Sequence, residues 1–199
     1  MEANYLLNRQ KFGSESNLGN WMSLDESMAL LIDWVKNEKL LFHMKQVGHL
    51  MKAWAKSKGF DDATQHMWHL AGLLHDADWD QWPDQHCRKI IEELESRNTD
   101  PRIIRAIACH GPRYFGIDPE AEMEKMLYAF DELSGFVHAY SLMRPMGYEG
   151  MEISGVKKRL KDKTFAAQVS REDISDGSQR AEISVDDLIR FVIVNQLRA

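Results

Sequence analysis

Several things are scarce in this chain, and each scarcity excludes something. Two cysteines, Cys87 and Cys109, in 199 residues are too few for a disulfide scaffold. Both fall inside helical patterns, where buried free thiols are expected. No apolar run approaches the roughly 18 residues that a membrane-spanning helix needs. The first residues, MEANYLLNRQKFGSESNLGN, lack the apolar core of a secretory signal. A cytoplasmic protein without membrane contact is the default expectation. Positive charge is also short: 25 Lys and Arg against 31 Asp and Glu leave a net charge of -6. That argues against binding a nucleic-acid polymer, which requires a broad basic surface to replace phosphate counterions. A small basic pocket for one nucleotide is still compatible with it. Strand-type alternation and internal repeats are both lacking.

What remains is helical. Ser23-Leu-Asp-Glu26 has the form of a capping box, so a helix over about 24–35 follows. Asn37 caps the next helix, with Leu40, Leu41, Met44, Val47, Met51 and Trp54 at spacings of three and four, and Gly59 stops it. Asp61 or Asp62 starts a third helix, carrying Met67, Leu70, Ala71 and Leu74. Pro83 and Pro101, suited to a helix's first turn, predict helices over about 83–97 and 101–110. Asp118-Pro119 predicts a long helix through Met143, ended before Pro145. Segment 145–152 reads as a loop. Residues 153–163 form another helix, and Ser184 caps a last one through Leu197. The expected fold is all-α: a single-domain bundle of seven to nine helices. It divides into an N-terminal arm over 1–20, a helical domain over 21–165, and a C-terminal extension over 166–199 packed on the same domain. The eleven methionines on long apolar helices leave room for a homodimer face.

The chemistry concentrates in Ala71-Gly-Leu-Leu-His-Asp-Ala-Asp-Trp-Asp80. An apolar helix runs straight into His75 and Asp76, with two further carboxylates behind them. Polar groups at the end of a buried helix are costly unless they are paired or ligate a cation. Imidazole with carboxylate suits one divalent transition metal, Mn, Fe, Co, Ni or Zn, and admits Mg. His43 lies on an apolar helix face, where a hydrogen-bonded core histidine is the ordinary alternative. Asp131 follows Phe130 in an apolar helix and needs a partner there.

The Leu-Leu-His75-Asp76 step resembles the signature doublet of the HD superfamily of metal-dependent phosphohydrolases. The segment Asn37-Glu-Lys-Leu-Leu-Phe-His43-Met-Lys-Gln-Val47 resembles that family's preceding histidine helix. Tyr128-Ala-Phe-Asp131-Glu-Leu-Ser-Gly135, running to Arg144-Pro145, resembles its later aspartate helix. The similarity is to small bacterial members and spans roughly 25–165. It implies a helical bundle with a metal on His43, His75, Asp76 and Asp131. Some members add histidines that bind a second metal or the substrate phosphate, which makes His86 and His110 candidates. Two-metal members carry a paired His-His further along that this chain lacks, so a second ion stays open.

The resemblance implies hydrolysis of a phosphate ester, of a nucleotide or another small phosphorylated metabolite, by a metal-activated water. His110 and Asp80 are the catalytic acid–base candidates. Asp78 and Asp80 suit orientation of ligand histidines, general acid–base work or capping of the next turn. Trp79 and Trp82 are available for stacking or for packing. Lys157-Lys-Arg-Leu-Lys161 with Lys163 is either a solvated face or a phosphate clamp. His49, His66, His69 and His138 are expected to be structural or surface residues. Two rivals stand beside the hydrolase: a non-catalytic metal- or ligand-binding regulatory module, since fold does not fix function, and a di-iron oxygenase of the same fold, which needs more ligands than four.

Overall fold

A computed structural model of the chain describes residues 19–111 and 115–197. Most of the expected N-terminal arm, residues 1–18, lies outside them. Among the described residues the chain forms nine α-helices and no strand: α1 (Leu24–Trp34), α2 (Glu38–Ser57), α3 (Asp62–Leu74), α4 (Arg88–Ser96), α5 (Pro101–Cys109), α6 (Glu122–Leu142), α7 (Ile153–Leu160), α8 (Arg171–Ala181) and α9 (Val185–Val194). A 3-10 turn, Pro83–Gln85, precedes α4.

The starts follow local chemistry. Ser23 and Glu26 form the reciprocal capping box of α1. Asn37 Oδ1 accepts the Lys39 and Leu40 amides at α2. Asp61 accepts the Thr64 amide at α3. Asp100 caps α5, with Pro101 in its first turn. Each such cap satisfies an otherwise orphaned donor and stabilises by about 1 kcal/mol.

Three expectations are corrected. The helix expected over 83–97 splits, because Pro83 opens only the 3-10 turn and α4 begins at Arg88. The long helix starts at Glu122, not Asp118: the Glu124 carboxylate reaches back to the Glu120 and Ala121 amides. The Asp118 carbonyl meanwhile accepts Arg105 and Cys109 from α5. Helix α8 went unread, and α9 ends at Val194 rather than Leu197.

Two close approaches set the frame. A Cβ on Gly72 would lie 2.9 Å from the Cα and N of Gly48, so α2 and α3 touch backbone to backbone. A Cβ on Gly177 would lie 2.9 Å from the Ala129 Cα, which seats α8 on α6. Leu31, Met44, Leu50, Leu70, Leu73, Ile90, Phe130 and Phe136 are fully buried between these helices, each burial stabilising by about 1.5–3 kcal/mol. Helix α9 adds Phe191, stacked on Phe130 and edge-on to Trp54. Both cysteines are free and buried, as expected. No helix is long and apolar enough to cross a membrane among the described residues.

Candidate metal centre

Helices α2, α3 and α6 converge so that His43, His75, Asp76 and Asp131 present donor atoms within 4.8 Å of one another. His75 sits at the C-terminal end of α3, where the helix's last carbonyls are short of partners. Its Nδ1 donates to the Gly72 carbonyl at 2.7 Å. That hydrogen bond orients the ring and aims Nε2 into the cluster. Nε2 is buried and has no hydrogen-bond partner. It lies 3.4 Å from both Asp76 Oδ2 and Asp131 Oδ1. His43 Nε2 reaches Asp131 Oδ1 at 2.9 Å and Asp76 Oδ2 at 3.9 Å.

The other oxygen of Asp76 faces a second group. Oδ1 lies 3.3 Å from His86 Nε2 and 3.5 Å from His110 Nε2, and those two nitrogens are 3.3 Å apart. Both histidines are oriented from behind. His86 Nδ1 donates to Asp78 Oδ1 at 2.7 Å, while Asp78 Oδ2 accepts the Ile90 amide at 3.0 Å. His110 Nδ1 donates to the Ile107 carbonyl at 2.6 Å. Three imidazoles thus have Nδ1 anchored by an acceptor and Nε2 turned to Asp76, as ligand histidines are held by their outer partners. Asp78 therefore does both jobs expected of it, orienting a histidine and capping the next helix. His86 and His110 join the site, and His110's proton-bearing nitrogen is tied to the backbone.

The electrostatics are compatible with a bound cation. Burial alone would push the His75 imidazole down, yet Asp76 and Asp131 together hold it well above the usual histidine range. Burial would raise both carboxyls. His75 and its neighbouring imidazoles instead hold Asp76 well below the carboxylate range, and His43 with His75 does the same for Asp131. A proton on His75 answers two partly buried carboxylates only in part, and a divalent ion would answer them more fully. Donors about 2.1 Å from one ion, at angles of about 90–109°, lie about 3.0–3.4 Å apart, which the spacings here bracket. The residues present could hold a metal at His43, His75, Asp76 and Asp131, and His86, Cys87 and His110 form a second such group.

Around this cluster opens a cavity of about 920 Å³. Its walls include Lys39, Trp79, Tyr128, His138, Asp176 and Arg180. Asp80 is not brought to the site: it is exposed, and its Oδ2 accepts the Lys36 and Asn37 amides at 2.7 and 2.9 Å, pinning the α1–α2 turn. The basic run also lies elsewhere, with Lys157 paired to Asp186 and Arg159 to Asp162. Trp79 stands edge-on to His86, while Trp82 packs on Trp34. The sequence reading missed Tyr128 and His138. Both share the Asp131 face of α6, three residues before and seven after it, and helical periodicity alone could have found them. Tyr128 donates to Asp173 and Asp176 on α8, and the His138 Nδ1 lies 2.7 Å from the Tyr148 hydroxyl.

Compared with known proteins, the chain matches no family model, no curated protein and no solved structure.

Proposed function

We propose that the chain is a metal-dependent phosphohydrolase of the HD type acting on a phosphate ester of a nucleotide or another small metabolite. The observation that carries this reading is Asp76, whose two oxygens face two separate sets of imidazole donors at the floor of one cavity. His43, His75, Asp131 and Asp76 Oδ2 would hold one ion. Asp76 Oδ1, His86 and His110 would hold a second. An ion in the first set would lower the pKa of a bound water and withdraw charge from a phosphoryl oxygen.

The protein's part is positioning. Gly72, Asp78 and Ile107 lock the three tautomers, so no donor must reorganise during reaction. His110, with its Nδ1 proton given to a carbonyl, serves as a ligand rather than as the acid. Among the described residues Lys39 and Arg180 line the cavity, and Arg180 is engaged by Asp176 at 2.6 Å and Asp118 at 2.7 Å. Lys39 is then the cation to meet a phosphate oxygen.

A second reading is favoured by the number of donors. The dinuclear oxygenase alternative needs more ligands than four, and six residues converge here. The test is phosphate release from a panel of phosphomonoesters with Mn, Co, Zn or Mg. The expected result is metal-dependent turnover that His75→Ala and Asp76→Ala reduce to background. Two irons per chain with dioxygen uptake and no phosphate release would replace hydrolysis by the oxygenase. Stabilisation by a phosphoester without any turnover would mark a binding module.

A further inference from the structure

Cys87 lies against the second donor set. Its Sγ is 3.2 Å from His86 Nε2, 3.9 Å from His110 Nε2 and 3.8 Å from His110 Nδ1. His86, Cys87 and His110 by themselves offer ligand atoms all within 4.8 Å of one another. Cys109 shows what an ordinary buried thiol does in this fold: its Sγ donates to the Asp118 carbonyl at 3.7 Å. Cys87 instead faces imidazole nitrogens, two of which also lie within 3.5 Å of Asp76 Oδ1.

We infer that Cys87 is a thiolate ligand of the second ion, completing a His86–His110–Cys87–Asp76 site. The inference rests on the two-ion reading above and adds a soft donor to it. In a tetrahedral shell with bonds of about 2.1 Å to nitrogen and oxygen and about 2.3 Å to sulfur, donor atoms lie about 3.4–3.6 Å apart. Five of the six spacings among Cys87 Sγ, His86 Nε2, His110 Nε2 and Asp76 Oδ1, all but that from Cys87 to Asp76, run from 3.2 to 3.9 Å around that range.

Ligation is proton-balanced. The Cys87 S–H bond breaks, its proton goes to solvent, and the sulfur electron pair goes to the ion, with no oxidant or reductant involved. A coordinating thiol is deprotonated outright by the ion's charge, which overcomes the buried, carboxylate-flanked setting that holds it protonated otherwise. Two consequences follow. Thiolate selects Zn, Co or Fe over Mg or Mn at this position. Four protein donors also close it, as in structural zinc sites, so the first position keeps the openings for water and substrate.

The experiment is an anaerobic titration of metal-stripped full-length protein with Co2+, followed in the near ultraviolet for thiolate-to-cobalt charge transfer. The expected result is a band that grows with the second equivalent. Cys87→Ser should abolish the band and weaken that equivalent at least about tenfold, the smallest loss typical even of outer-shell partners. Two equivalents binding wild type without a thiolate band would overturn the Cys87 assignment and leave the two-ion reading standing. Saturation at one equivalent would overturn both. X-ray absorption on zinc-loaded wild type tests the same ligation without any variant. A sulfur scatterer at about 2.3 Å is expected, and a nitrogen-and-oxygen shell alone would refute the assignment.

Discussion

Replacing Asp78 separates the fold from the site, because its two oxygens do different work. The side chain is fully buried. Oδ2 accepts the Ile90 amide in the first turn of α4, whose N-cap residue Cys87 offers no side-chain cap. Oδ1 holds the Nδ1 proton of His86. Asp78→Ala deletes a cap, at about 1 kcal/mol, and strands a buried imidazole N–H, at about 1–3 kcal/mol. The expected loss is about 2–4 kcal/mol, measured by urea unfolding of the metal-stripped protein. Asp78→Asn keeps the shape and an acceptor for Ile90, so its stability should fall by only about 1 kcal/mol. Its amide N–H, however, would meet His86 Nδ1 as a donor and favour the tautomer with the proton on Nε2, the nitrogen facing Asp76. The second equivalent of metal should then bind about 10–100-fold more weakly. Isothermal titration with zinc reads this directly. An Asp78→Asn protein that binds both equivalents like wild type would refute the assigned role. So would an Asp78→Ala protein within about 0.5 kcal/mol of wild type, the range of neutral surface changes.

Two further perturbations have definite signs. Gly72→Ala gains about 1 kcal/mol of helix propensity. The new Cβ nevertheless meets the Gly48 backbone at 2.9 Å, and overpacking costs about 1–3 kcal/mol. Thermal unfolding should show a net loss, and an unchanged or raised Tm would refute the backbone contact. His69 is largely buried, its Nδ1 has no hydrogen-bond partner, and burial pulls its pKa down from 6.5 to about 4. The unfolded chain therefore binds the extra proton first. Stability from this residue is complete above about pH 6.5 and is lost as pH falls toward 4, to a ceiling of about 3 kcal/mol. Urea unfolding of His69→Gln beside wild type, across pH 7 to 4, should show the difference shrinking or reversing as pH falls. A constant difference would contradict it.

Legibility in the sequence tracked how local each signal was. Ser23, Asn37 and Asp61 announce helix starts through bonds spanning two or three residues, and all three make those bonds. His43, His75, Asp76 and Asp131 lie on three separate helices, yet each stands out as a polar group on an apolar face, and the structure brings them together. Asp78 and Asp80 are two residues apart and chemically alike. Only tertiary partners separate them, Asp78 reaching His86 and Ile90, Asp80 the Lys36 and Asn37 amides. The 83–97 helix failed because Pro83 is as suited to a 3-10 turn as to an α-helix. The break that turns His86 inward depends on Asp78 capping Ile90 from outside the helix. Helix α8 escaped notice because Ile174 is its one buried large apolar residue. What holds it is Gly177 against Ala129 and the Tyr128 hydroxyl on Asp173 and Asp176, contacts across more than forty residues.

The most direct test of the central claim is metal content per chain, by elemental analysis of protein purified without chelator or affinity nickel, for wild type and Asp131→Ala. The expectation is transition metal in the wild type, rising to two ions per chain on reloading. Asp131→Ala, which loses a donor of the first set only, should take up one ion or fewer. A wild-type chain that carries no metal and takes none up would contradict the metal centre and every function built on it.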